Sequence, residues 1–328
     1  MDYQSILHLF LTISFVIGRS SQQISIEPIA GPYTLSEGPY WDKENNVLYF
    51  VDIPKQNIYC FNPETKHITH THLSLGPVGV AVPKAGKPNT FIAGSGTKLV
   101  QVLWDPKSDN LNPTVKVLAT VDVDRNGTRF NDGKVDPAGR FWAGTMGEKN
   151  GVITNGQGTL YRFDNNGTPT KILSPVSISN GLTWNHNNDT FYYIDSPTRE
   201  IVSYNYNNIT GDISNKCTVF SLEENNIPGA PDGMTIDKAD NLWIAIYNGG
   251  RVIQVEPKSG KLLRTVNLPA AEITSVAFGG SNFDVLYVTS ASQSLTEEQL
   301  KEQPYAGYVF AVHGLGVSGE EMLASKMN

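Results

Sequence analysis

Four polar residues occupy matching places along the chain. Glu37 in SEGPYWD, Asn131 in FNDGKVD, Asn180 in SNGLTWN and Asp232 in PDGMTID each stand four positions before a hydrophobic residue that Asp or Asn follows. All four side chains offer oxygen and two are anionic. Carboxylates brought to one place repel each other unless a cation or a proton sits between them. An oxygen-only set with two carboxylates and amides suits one hard divalent cation such as calcium, magnesium or manganese, and tolerates zinc. Asx or Glu before Gly also builds β-turns, but four copies in register favour a shared site. The residues that close each motif, Asp42, Asp136, Asn185 and Asp237, fit the turn role and are read as structural. Arg129 lies two before Asn131, so on a strand both share one face. Its planar fork suits a carboxylate or a hydroxyl-rich ligand.

The elements that would position these residues repeat. After each closer come turn residues and a strand-like run: VLYFVD, RFWAGT, TFYYID and NLWIAI, each followed by a second such run. Weaker copies begin at Val78 and Thr274, which makes six, with leaders 41 to 53 residues apart. Units of three or four short strands at that period are the mark of a β-propeller. The expectation is an all-β, six-bladed β-propeller with a central metal site, as a single domain over residues 19–328. Equivalent positions on the innermost strands would then form a ring: Glu37, Val78, Asn131, Asn180, Asp232 and Thr274. The one expected helix runs from Ser294 to Gln303, with a capping box at Ser294 and Glu297.

Composition agrees with many tight turns: the chain has 30 Gly, 19 Pro and 28 Asn among 328 residues. A formal charge of −7 leaves no basic footprint for a nucleic-acid partner. Residues 1–18 carry the only long apolar stretch, Ile6 to Ile17, too short to span a bilayer but suited to a signal-peptide core. The expectation is cleavage after Gly18 and a secreted monomer with no membrane segment left. The start carries Asp2 and no Lys or Arg, which is unusual for such a signal, and a buried first strand is the alternative. Sequons at Asn126, Asn166, Asn188 and Asn208 lie in turn-like contexts, at a number chance alone would give. Two cysteines, Cys60 and Cys217, leave one bridge open and exclude a disulfide scaffold.

Other signals are discounted. GLGVSG at 314–319 matches a dinucleotide fingerprint, yet only nine residues follow it, so it reads as a turn. No G-x-S-x-G occurs, so a nucleophile elbow is absent. HITHTH at 67–72 puts two imidazoles on one strand face, as a transition-metal pair would need. At the outer end of the first repeat it reads better as a solvated edge strand.

The runs RFNDGKVDPAGRFWAGTM, SNGLTW, PDGMTID and SEGPYWD resemble the regucalcin, gluconolactonase and luciferin-regenerating-enzyme family, also called senescence marker protein. The likeness covers roughly residues 30 to 319. It implies a six-bladed propeller with one divalent cation held by Glu37, Asn180 and Asp232. It further implies that Arg129 and Asn131 contact substrate, and that Asp232 is the catalytic general base in hydrolysis of a lactone. One departure stands out: where sugar-lactone hydrolases of the family carry a substrate-binding Glu, this chain has Lys149, with Glu148 one place early. Both are kept as candidate substrate contacts. Two other functions follow from the same family: a calcium-binding or ligand-binding propeller without turnover, and a luciferin-regenerating role.

Overall fold

The structure is a computed structural model that describes residues 23–328. The signal-peptide reading of residues 1–18 falls outside them. Six antiparallel sheets follow one another along the chain, five of four strands and the third of five, and the innermost strands touch in cyclic order, the sixth against the first. Those innermost strands are Ser36–Asp42, Val78–Pro83, Thr128–Val135, Ser179–Trp184, Ala230–Ile236 and Ile273–Gly279. They define blades one to six. This is the six-bladed propeller expected from the repeat.

Closure was not foreseen. The outermost strand of blade six is Ser25–Ala30, which pairs antiparallel with Val309–His313 from the other end of the chain. A ring closed only by side-chain packing would present an open seam. Completing the last blade with the first strand gives the seam backbone hydrogen bonds instead.

Each innermost strand carries a β-bulge within a residue or two of its leader: Glu37/Tyr40, Val78/Val80, Phe130/Gly133, Asn180/Leu182, Pro231/Met234 and Ile273/Ser275. A bulge re-aims side chains and raises local twist. Glycines beside the leaders serve two ends: Gly38 takes a left-handed φ of +56° with no neighbour closer than 3.8 Å, whereas Gly79 and Gly181 permit blade contact. A Cβ on Gly79 would stand 2.3 Å from the carbonyl oxygen of Asn131, and one on Gly181 would stand 2.6 Å from that of Asp232. Only a bare backbone lets adjacent blades approach this closely near the axis.

The closers confirm their structural role at the opposite strand ends. Asp136 is fully buried and accepts from Arg140 Nε (2.6 Å), Trp142 Nε1 (2.9 Å) and the Tyr206 hydroxyl (2.7 Å). Asp237 likewise accepts from Trp243 Nε1 (2.9 Å) and Gln254 Nε2 (2.8 Å). Between blades the core is aromatic and aliphatic, with Trp142, Trp243 and Phe191 fully buried.

Three smaller expectations meet the structure here. Cys60 is buried in blade one and Cys217 exposed in blade four; both thiols are free. The helix is shorter than expected, Glu297–Glu302, and its capping box uses Thr296 and Gln299 rather than Ser294 and Glu297. Ser294 is occupied elsewhere, within 3.0 Å of the Tyr247 hydroxyl. Residues 314–319 form no βαβ unit and lie after the last strand, as the turn reading required.

Candidate functional site

The leader end of the channel gathers buried polar groups from separate blades. Glu37, Asn131, Asn180 and Asp232 are each less than a tenth exposed, as is Arg129. A hydrogen-bonded chain links blades three, four and five. Arg129 Nη1 donates to Asn131 Oδ1 (2.8 Å), Asn131 Nδ2 donates to Asn180 Oδ1 (2.8 Å), and Asn180 Nδ2 donates to Ser196 Oγ (2.7 Å). Ser196 in turn donates to the carbonyl of Pro231, beside Asp232 (2.7 Å). These bonds orient both amides. The carbonyl oxygen of Asn180 faces Asn131, within the group of leaders.

Glu37 accepts from the Gly38 amide at 2.9 Å. Asp232 Oδ1 is buried and has no hydrogen-bond partner among the described residues. The two carboxylates act on each other. Burial, and then repulsion from Asp132, pushes the Glu37 carboxyl up to about 8, against the pull of the Gly38 amide and Arg129. Asp232 is driven well above the carboxylate range by burial, then by Glu37 and Asp132. Buried acids so placed hold protons at neutral pH unless a cation takes their place.

The remaining ring positions are not donors to the axis. Val78 is buried and apolar, and Thr274 Oγ1 is spent on the carbonyl of Ser36, at 2.6 Å, which ties blade six to blade one.

Glu148 and Lys149 part ways. The Glu148 carboxylate meets Arg129 Nε at 2.5 Å, so the early glutamate turns inward. Lys149 is exposed, and its stem covers Gly127. Beyond it the segment 147–157 forms a hairpin with strand Val152–Thr154, whose Val152 and Ile153 face solvent.

Sequence reasoning missed Asp132 and Lys134. Asp132 is buried, and its carboxyl is pushed up to about 6 by burial, with Lys134 and the Gly133 amide opposing. Lys134 donates to the Met234 carbonyl (2.7 Å), and burial lowers its ammonium to about 8. Both line a void of about 10 Å³ farther along the axis, with Gly38, Tyr40 and Met322. Strict alternation gives Asn131 and Asp132 opposite faces; the bulge between Phe130 and Gly133 brings both to the channel. Met322 belongs to the C-terminal segment that crosses the closer end. That segment pairs Ser325 with Pro83 and Ala85, and Lys326 with Gly139. One end of the channel is thereby covered by the chain's own tail.

Among the described residues no group of three or more His, Cys, Asp or Glu side chains forms a metal cluster. A cation at the leader end would take Glu37, Asp232 and an amide oxygen. That set fits a hard cation: two mutually repelling carboxylates, one unpartnered carboxylate oxygen and one oriented amide oxygen, all shielded from water.

A model of the SMP-30/Gluconolactonase/LRE-like region matches residues 35–292. The chain belongs to this family. Human regucalcin is 42% identical to this family member over 285 residues, which are 86% of this chain and 92% of regucalcin. The solved structure of a luciferin-regenerating enzyme superposes with a TM-score of 0.87 at 35% identity, covering 93% of this chain and all of that one. Regucalcin from Agrobacterium tumefaciens, at 23% identity, shares the fold with a TM-score of 0.80 over 90% of this chain and 94% of its own. The motifs at Glu37, Asn131, Asn180 and Asp232 all lie inside the matched family region. Among the described residues no helix is long and apolar enough to cross a membrane.

Proposed function

We propose that this protein is a metal-dependent hydrolase of a lactone, acting at the leader end of the channel. The observation that carries the reading is the burial of Glu37 beside Asp232, with Asp232 Oδ1 unpartnered. Glu37, Asn180 and Asp232 are the residues that would hold the cation. The family's name includes gluconolactonase, and the Agrobacterium regucalcin is described as a calcium-binding protein; both support the reading, with calcium the first ion to test. When bound, a divalent cation supplies Lewis-acid polarisation of an ester carbonyl.

The chain's own groups do the rest. Asp232 accepts a proton from the attacking water at whichever of its oxygens a cation does not take. A carboxylate beside a cation is a weak base, so water acidified in that environment is what lets it serve. Arg129 and Asn131 orient the substrate's oxygens, and orientation of this kind lowers the barrier by pre-ordering the reactants. Glu148 fixes the Arg129 guanidinium in a single direction. The exposed Lys149 contributes at the rim, where it would favour a substrate with a negative or acceptor group there.

The test is a panel of lactones, assayed with calcium, zinc, manganese and magnesium in turn. Asp232→Ala is expected to keep its fold and lose at least about 100-fold in kcat/KM. Absence of turnover by the wild-type protein with every ion would instead support a binding propeller. Turnover undiminished in Asp232→Ala would remove Asp232 from the chemistry.

A further inference from the structure

A second cluster of ligating side chains lies far from the axis, on the outermost strand of blade one, His67–His72. His70 and His72 point to one face of this strand and His67 to the other. On that face His70 stands opposite Tyr59 and His72 opposite Asn57. The His70 ring stacks on Tyr59, with centroids 5.4 Å apart and an interplanar angle of 23°. Both imidazoles are half-buried, and their positions are set by neighbours, not by solvent.

Each ring has its Nδ1 taken by an oxygen. Asp109 Oδ1 lies 3.0 Å from His70 Nδ1 and also accepts from the His70 amide at 2.9 Å. Asn57 Oδ1 lies 3.0 Å from His72 Nδ1. The direction of the Asn57 amide is fixed, because its Nδ2 donates to the Tyr59 hydroxyl at 3.0 Å. With its oxygen facing the ring, the contact is satisfied by the His72 tautomer that carries hydrogen on Nδ1. Asp109 is held just as firmly: Thr69 Oγ1 donates to the Pro106 carbonyl (2.6 Å), Thr71 Oγ1 to the Asn110 carbonyl (2.5 Å), and the Asn110 amide to the His70 carbonyl (3.2 Å). A loop of blade two is thus stitched to the edge of blade one, and it delivers a carboxylate to one histidine.

An imidazole with hydrogen on Nδ1 presents its lone pair at Nε2. No described side chain hydrogen-bonds either Nε2. A carboxylate or amide oxygen on the far nitrogen is the arrangement that orients metal-ligating histidines and raises their basicity. Two such rings on one strand face start from backbone positions about 6.8 Å apart, a spacing that two imidazoles can bridge to one ion.

We propose that His70 and His72 bind a divalent transition cation of the zinc type through their Nε2 atoms, with water completing the coordination. Nitrogen donors of this kind select transition ions over calcium. The site lies three strands out from the innermost strand, roughly 14 Å at ordinary strand spacing, so it is chemically and spatially separate from the oxygen-donor site.

The experiment uses the full chain, saturated with calcium, and Ni²⁺ as the probe, followed by amide NMR and calorimetry. Paramagnetic broadening is expected at Asn57, Tyr59 and residues 70 to 72 before it reaches Glu37, Asn180 or Asp232. His70→Ala and His72→Ala should each weaken Ni²⁺ binding at this site at least about tenfold, and Asp109→Ala about tenfold through the loss of its support to His70. His67→Ala, on the opposite face, should leave it unchanged. Broadening confined to the channel, or spread equally to His186 and His313, would overturn the proposal. So would equal weakening by His67→Ala.

Discussion

The two ends of the innermost strands carry the same kinds of residue to opposite ends. At the closer end, Asp136 and Asp237 are surrounded by donors: a guanidinium, indole N–H groups, a phenol and an amide. At the leader end, Glu37 and Asp132 repel Asp232, and one oxygen of Asp232 has no hydrogen-bond partner among the described residues. A buried carboxylate with its donors in place is a structural joint. One without them is a cost that folding alone would not retain. The tail seals the satisfied end, and the unsatisfied end is where Arg129 and the asparagines converge. The contrast separates scaffold from site without reference to any relative.

The first way to break this comparison is to remove one carboxylate at each end. Asp136→Ala strands the Arg140 guanidinium, an indole N–H and a phenol in the core, so it should cost about 3–5 kcal/mol of stability. Asp232→Ala removes a repelling group, and metal-free stability should fall by no more than about 1 kcal/mol. Chemical denaturation of both variants in chelator checks the pair. Equal destabilisation would mean that the leader end is also structural.

The second concerns pH. Glu37 is pushed from an ordinary 4.5 up to about 8, so the folded, metal-free chain holds a proton that the unfolded chain has released. Stability from this group is fully present below about pH 4.5 and is lost as pH rises towards 8. The slope should approach 1.4 kcal/mol per pH unit for each such proton, an order-of-magnitude figure. Denaturation midpoints in chelator between pH 5 and 8 should show it, and Glu37→Gln should reduce it to the part carried by Asp232, which burial also raises. Saturating calcium should flatten the wild-type slope as well, since the ion replaces the proton. A slope unchanged in Glu37→Gln would assign the proton to another group.

Much of this contrast was legible in the residues, for a physical reason. A propeller repeats its environment, so a residue required once is flanked by the same glycine and the same closer in other blades. That is how Glu37, Asn180 and Asp232 could be aligned across almost two hundred positions. What stayed hidden depends on contacts that no local pattern encodes. The blade-six strand Ser25–Ala30 is defined by a partner at Val309–His313. Asp132 reaches the channel only because a bulge breaks the alternation that would turn it away. Met327 is buried in the tail by packing against blades two and three, with no periodicity around it. The cap of the short helix was displaced by two residues because Ser294 and Thr296 are equivalent as types, and only geometry chooses between them.

The smallest effect sharpens the comparison at the rim. The resemblance to sugar-lactone hydrolases implies a glutamate where Lys149 stands, yet here it is Glu148 that reaches Arg129, at 2.5 Å, while Lys149 is exposed. A half-buried carboxylate on a buried guanidinium positions the fork; an exposed ammonium is screened by solvent. Glu148→Ala should therefore raise KM for a lactone about tenfold, with kcat changed less, because Arg129 loses its support. Lys149→Ala should stay within about 0.5 kcal/mol on kcat/KM, close to twofold. Steady-state kinetics on the best lactone of the panel decides between them. Should Lys149→Ala prove the larger, or Lys149→Glu raise turnover of sugar lactones while Glu148→Ala does nothing, the recognising residue would be the rim lysine, and the Glu148–Arg129 pair would belong with Asp136 and Arg140 among the joints of the scaffold.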